Sequence, residues 1–253
     1  MISLSEAQLA AWISPIFWPF IRVLAVFTSA PVFSSRAFTV RARIALAFLV
    51  ALASQASLPQ ADVVGFNDVR AFGVLIQQVG VGLSIGFAVR LVFAAVELAG
   101  EVVGFQMGLN FASFFDLTMN SQSSAVARFF SQITSLLFVV MNGHLMVLMA
   151  VNKSFVAFPV GQNFLQALAQ MQLHKLGAEI FSSALWIALP MVGMLMFTNL
   201  ALGIISRVAP QINIFAVGFP ITLVVGLVGI AFTLPMLDQP FIALMGRVIE
   251  IFG

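Results

Sequence analysis

In the segment Glu97-Leu-Ala-Gly-Glu-Val-Val-Gly-Phe-Gln-Met-Gly-Leu-Asn-Phe-Ala-Ser-Phe-Phe-Asp116 the sequence departs from an ordinary membrane helix. As a helix it places Glu97 and Glu101 on one face, with Gly104 and Gly108 following on nearly the same side. Gly100, Gly104 and Gly108 recur every four residues, the small-xxx-small spacing that lets a second backbone come close in an apolar medium. Phe111, Phe114, Phe115 and Asp116 come next, then the polar run Asn120-Ser-Gln-Ser-Ser124. Such a run cannot lie in lipid with its backbone unpaired, so residues from about Gln106 to Ser124 are expected in water, buried in protein, or re-entrant into a pore.

The medium is set by composition. Hydrophobic residues make up 61% of the 253 and charged residues 8%, with a mean hydropathy of +1.10. Soluble domains carry about a quarter charged residues, so the chain is expected to be an integral membrane protein. A net charge of +2 drawn from so few groups carries no nucleic-acid signal. The absence of cysteine excludes thiolate zinc sites, iron–sulfur clusters, disulfides and thiol catalysis. His144 and His174 stand apart, with no HExxH, no acidic cluster and no GxxxxGK[ST] loop in the sequence, so neither an enzyme nor a cofactor is expected. Met1-Ile-Ser-Leu-Ser-Glu6 lacks a basic region ahead of the first apolar run, and no cleaved signal peptide is expected.

Apolar runs long enough for about 30 Å of hydrocarbon follow one another along the chain. The first spans about Trp12 to Phe33, with Pro15 and Pro19 in its first turns and Arg22 inside it; the second spans about Ile44 to Leu58. Arg36, Arg41 and Arg43 lie between them without an acid, which puts that loop on the cytoplasmic side and the amino terminus outside. The third, about Ala71 to Leu98, leads with almost no loop into the segment quoted above. A further run, about Phe129 to Val151, precedes an amphipathic stretch at Gln162 to Lys175, expected to lie at the interface. Runs at about Ile180 to Ile205 and Ile212 to Leu237 form a hairpin whose turn holds Arg207, Pro210, Gln211 and Asn213. The expectation is an all-α membrane protein of roughly six to eight helical segments packed as hairpins, forming one membrane-embedded unit over residues 1–253.

Charges inside this pattern need partners or water, because a lone charge at the helix centre costs about 2.5 kcal/mol or more. For Arg90, Glu97 and Glu101 two readings stand: a cytoplasmic membrane boundary, or a buried charge network joining surfaces in an assembly or lining a water-filled cavity. The glycines read first as close helix packing. The stretch carrying Met107, Phe111, Phe114 and Phe115 reads either as plain core or as a hydrophobic constriction that blocks a conduit.

Gly100-Glu-Val-Val-Gly-Phe-Gln-Met-Gly-Leu-Asn-Phe-Ala112, Asn142-Gly-His144 and Arg207-Val-Ala-Pro-Gln-Ile-Asn-Ile-Phe-Ala-Val-Gly-Phe-Pro220 resemble the signature segments of the FliR family of type III export-gate proteins, nearly end to end. Ala30-Pro31 followed by Arg36 and Arg41 is similar too, and Asn142-Gly-His144 leans to the flagellar branch. Two positions depart from the family pattern: residues 38–41 hold no proline, and Asp116 is followed by Leu117.

The resemblance implies a function without chemistry. It implies one copy in a helical multi-subunit pore with FliP and FliQ, working with FlhB and FlhA, in the inner membrane at the flagellar basal body. Unfolded flagellar subunits would pass through it, and part of the chain would be raised above the bilayer plane on the periplasmic side. It further implies a FliP-like part over about 1–178 and a FliQ-like hairpin over about 179–253. The family's plug maps onto about 106–122, including Gln106, Met107, Gly108, Leu109, Asn110, Phe111, Phe114, Phe115 and Asp116. The alternative from another class is a proton- or cation-coupled secondary transporter using Glu97 or Glu101, against which stands the lack of a matching second half. Membrane lipid is a partner in either case.

Overall fold

Apolar runs with no water to satisfy their backbones must close their own hydrogen bonds, and here they do so as helices. The computed structural model of the chain describes residues 6–55, 68–109, 124–161, 164–211 and 213–253; among these no strand occurs. In order they form α1 (Glu6–Ser29), α2 (Val40–Ser54), α3 (Arg70–Gln106), α4 (Ala125–Val140), α5 (Gly143–Ala157), α6 (Phe164–Met171), α7 (Leu173–Val208), α8 (Ile214–Thr233), a 3-10 turn (Leu234–Met236) and α9 (Asp238–Ile251). The fold is all-α, and Trp12–Ser29, Arg70–Gln106, Gln166–Val208 and Ala216–Met236 are each long and apolar enough to cross a membrane. The pair α4 and α5 meets that test only as one broken span or re-entrant loop.

Several boundaries differ from those the apolar runs suggested, each for a local reason. Helix α1 starts at Glu6, so Pro15 and Pro19 lie inside it, where each removes a backbone donor. No break separates the third run from the Glu97 segment: α3 is one helix of 37 residues, about 55 Å at about 1.5 Å per residue. That is far longer than the about 30 Å of hydrocarbon. The 129–151 run is cut at Asn142, whose left-handed φ of 55° bends the chain by 70° before Gly143. The amphipathic stretch is shorter than expected, ending at Met171 because Gln172 takes φ 45°, and its last residues already belong to α7. The second arm of the hairpin stops at Thr233, and α9 follows the 3-10 turn.

The chain divides into two compact units, each discontinuous in sequence. The first takes Met1–Leu91, Asn142–Gly177 and Leu244–Gly253. In it α1 packs on α2, with Phe20 edge-on to Phe48 at 6.3 Å, while Trp18 and Val74 centre a small apolar cluster. The second takes Val92–Met141 and Ala178–Ala243. Its core joins Val96, Ala99, Val103 and Met107 of α3 to Val126 and Phe130 of α4, the Ala184–Leu195 face of α7, and Ile230 of α8. The α3 residues recur at helical spacing, so one stripe of that helix is buried.

Candidate functional site

The end of α3 in the second unit, the beginning of α4 and the middle of α8 bracket the segment in which sequence reasoning placed the plug. Gly100 and Gly104 are buried. A Cβ on Gly100 would stand 2.8 Å from the Cα of Ala127 and 3.0 Å from the Cβ of Phe130. On Gly104 it would stand 2.8 Å from Ser124 Oγ and 3.4 Å from the Cβ of Val126. Only glycine lets α4 lie this close to α3.

Gly108 has a different reason to be glycine. Its φ is +78°, and an added Cβ would meet only the Phe219 ring, at 3.5 Å. Its N–H donates to the carbonyl of Phe105 at 3.0 Å, and that of Leu109 donates to the carbonyl of Gly104 at 3.2 Å. Those two bonds are the Schellman closure of a helix, which needs a left-handed residue at Gly108. Of the three glycines, two admit a neighbouring helix and the third stops α3.

Glu101 is half-buried, and its Oε1 accepts the backbone N–H of Ser124 at 2.7 Å. Ser124 is the N-cap of α4, its Oγ accepting the N–H of Ala127 at 3.1 Å. A carboxylate at the first turn of α4 also meets the positive end of that helix dipole. Leu109 and Ser124, the described residues on either side of 110–123, are thus held by the α3 cap and by Glu101. Gln106, Met107, Gly108 and Leu109 are described, whereas Asn110, Phe111, Phe114, Phe115 and Asp116 lie outside the described residues.

Met107 does not line a free surface. It is fully buried and continues the core stripe of α3, and a Cβ on Gly226 of α8 would fall 2.6 Å or less from its terminal atoms. Thr222 Oγ1 lies 3.2 Å from the Met107 carbonyl and 3.0 Å from that of Phe219, sharing its one proton between them. The charges expected to form a network differ among themselves: Arg90 is exposed on the chain, Glu97 is half-buried, and Glu101 serves the α4 cap.

The hairpin turn is exposed at Arg207, Pro210, Gln211 and Asn213. Asn213 begins α8, its carbonyl accepting the N–H groups of Ala216 at 3.0 Å and Val217 at 3.2 Å. Among the described residues no group of three or more His, Asp or Glu could hold a metal ion.

A second polar site, in the first unit, went unread apart from its arginine. Arg22 is completely buried, and among the described residues its hydrogen bonds go to an amide, a hydroxyl and carbonyls rather than to a carboxylate. Its Nε donates to Gln78 Oε1 at 2.8 Å, its Nη1 to the carbonyl of Ser154 at 2.8 Å, and its Nη2 to the carbonyl of Phe158 at 2.8 Å. The guanidinium carbon stands 4.0 Å from the centre of the Phe155 ring, a cation–π contact. Gln78 in turn donates to Gln77 Oε1, which also accepts the N–H of Gly161, and Gln77 Nε2 donates to the carbonyl of Pro159 at 2.8 Å. The legible signal was Gln77-Gln78, two amides within an apolar run.

Residues 13–248 match the family model described as bacterial export proteins, family 1. Among curated relatives, the flagellar biosynthetic protein FliR of Pectobacterium carotovorum subsp. carotovorum is 41% identical, over 95% of this chain and 92% of its own length. The protein of the same name from Escherichia coli (strain K12) is 38% identical over the same shares, 95% and 92%. That of Bacillus subtilis (strain 168) is 30% identical over 83% of this chain and 82% of its own length.

Proposed function

The chain belongs to the bacterial export proteins, family 1, and from that premise we propose that it is the pore and plug subunit of the flagellar type III export gate. As a component of that apparatus in the inner membrane it passes unfolded flagellar subunits outward and seals the channel between passages. It performs no chemistry of its own. FliP and FliQ complete the pore, and FlhB and FlhA work with it. Helices α3 and α7, of 37 and 36 residues, far exceed the hydrocarbon thickness and α3 carries Arg90, Glu97 and Glu101 within that length, which favours a surround of other subunits over part of it.

The observation that carries the plug reading is the fixing of the two residues that flank 110–123. The Schellman cap at Gly108 fixes Leu109, and Glu101 fixes Ser124, both within the second unit. A segment held in that way can fill a conduit without separating from its wall. Against the cation-coupled transporter, one oxygen of Glu101 is engaged by a backbone N–H in a structural cap.

The test is deletion of residues 110–116 in cells carrying the complete gate. Normal assembly with a membrane now leaky to ions and small solutes is the expected result. Normal assembly with unchanged permeability would remove the plug role and leave a structural subunit.

A further inference from the structure

The loop between α1 and α2 concentrates positive charge with no acidic residue near it in the sequence. From Ala7 to Ala61 the sequence has no acidic residue, while Arg36, Arg41 and Arg43 fall within one turn and its flanks. Arg43 shapes the loop: its Nε donates to the carbonyl of Phe33 at 3.1 Å. The loop is further built by Phe33, buried and stacked on Phe27 at 4.6 Å, and by Thr39, whose side chain accepts the N–H of Ala42. Arg36 and Arg41 remain exposed. Two arginines stand in the first turn of α2, where a helix dipole disfavours cations, and no acid offsets them.

An apolar stripe leads away from this charge. Val40, Ile44, Phe48 and Leu52 recur every four residues along α2 and are 66%, 44%, 47% and 45% exposed. At 15 residues, about 22 Å, α2 is too short to cross about 30 Å of hydrocarbon but long enough to line one leaflet. Guanidinium groups above an apolar strip of that length match the two ends of one molecule, a phosphate-bearing headgroup and its acyl chains.

We propose that residues 34–43 bind the headgroup of an anionic phospholipid through Arg36 and Arg41, with its acyl chains laid along Val40, Ile44, Phe48 and Leu52. Arg43 takes the positioning part, holding the carbonyl of Phe33 so that the loop keeps its shape. A membrane occupant is favoured over an acidic protein segment because the charge sits at the head of a continuous apolar stripe. The anionic cytoplasmic leaflet supplies the lipid on the side where a basic loop resides.

The experiment is native mass spectrometry of the full chain, in its complex as purified, titrated with phosphatidylglycerol, phosphatidylcholine or inorganic phosphate. Phosphatidylglycerol should bind in preference to phosphatidylcholine, and each of Arg36→Gln and Arg41→Gln should weaken it about fivefold. A photoactivatable phosphatidylglycerol added to the unmutated complex should label residues 36–48, which needs no variant to fold. Equal binding of the two lipids, undiminished binding to the double variant, or labelling confined elsewhere would overturn the proposal. So would full competition by inorganic phosphate, which marks a free-anion site, or cross-linking of these residues to a partner subunit that covers them.

Discussion

Glu101 and Ser124, 23 residues apart, are joined by a 2.7 Å hydrogen bond from the Ser124 N–H to the Glu101 carboxylate. The bond fixes the start of α4 against the last turns of α3 at the point where Gly104 already forces contact with Ser124. Charge and packing thus act on the same residue.

Removing that carboxylate should free the beginning of α4 before it disturbs the core. Glu101→Ala is expected to cost about 1.5–3 kcal/mol, the range for a hydrogen bond to a charged group. Glu101→Gln keeps an oxygen acceptor and should cost less, losing only the charge at the α4 dipole. Hydrogen exchange at the amides of Ser124 and Ala125 reads the difference: faster exchange in the alanine variant than in the glutamine variant, with core amides of α7 unchanged. Equal exchange in all three proteins would mean that the bond contributes nothing.

Arg22 makes the opposite kind of site, a buried cation held by neutral oxygens. Arg22→Met preserves bulk but leaves the carbonyls of Ser154 and Phe158 and the Gln78 amide without their donor, each an unmet buried group worth about 1–3 kcal/mol. Arg22→Lys should rescue only part, since one ammonium cannot reach in three directions as a planar guanidinium does. Thermal unfolding in detergent should rank wild type above Lys above Met. A Met variant as stable as wild type would show that the network is dispensable.

What could be read in the sequence follows from hydropathy, which reports burial along a helix well and breaks within it poorly. The apolar runs of α1, α3 and the α7–α8 hairpin announced themselves, as did Gly100 and Gly104, because small residues at fourfold spacing have one common use in an apolar medium. Continuous hydropathy on both sides masks the turn at Asn142-Gly143, although Asn-Gly is a strong left-handed turn signal. Helix α9 is hidden in the same way, with Pro235, Asp238 and Pro240 the marks of a new start. Arg22 was noticed but its partners were not, since Gln77, Gln78 and Ser154 are remote in sequence and meet it only through tertiary packing. Gly108 looked like the third of a packing series, yet its role depends on a backbone angle that spacing does not reveal.

The glycines can be separated by substitution. Gly100→Ala should be the most damaging, because its new methyl would press on the backbone of Ala127, and overpacking of this kind typically costs about 1–3 kcal/mol. Gly104→Ala meets the Ser124 hydroxyl, which can rotate away at the expense of its cap, so the loss should be smaller. Gly108→Ala has room but must hold a left-handed conformation, at roughly 1–2 kcal/mol, and Gly108→Asn should recover part of that because asparagine tolerates it. Melting temperatures of the four purified chains test the order; a Gly100→Ala protein more stable than Gly108→Asn would contradict it.

Met107 distinguishes a core residue from a conduit lining. Buried against Gly226 and continuous with Val103, it should behave on truncation as core residues do, with Met107→Ala losing about 2–5 kcal/mol. Thr222→Val, which removes the hydroxyl near the Met107 carbonyl, should cost about 1 kcal/mol and add to the defect less than independently, because both changes loosen the same contact. In the assembled gate, Met107→Ala should lower the amount of complex while leaving the permeability per complex as in wild type, unlike deletion of residues 110–116. A variant that assembles in full yet leaks would place Met107 on the conduit after all, and the end of α3 would then belong to the moving part of the gate rather than to its anchor.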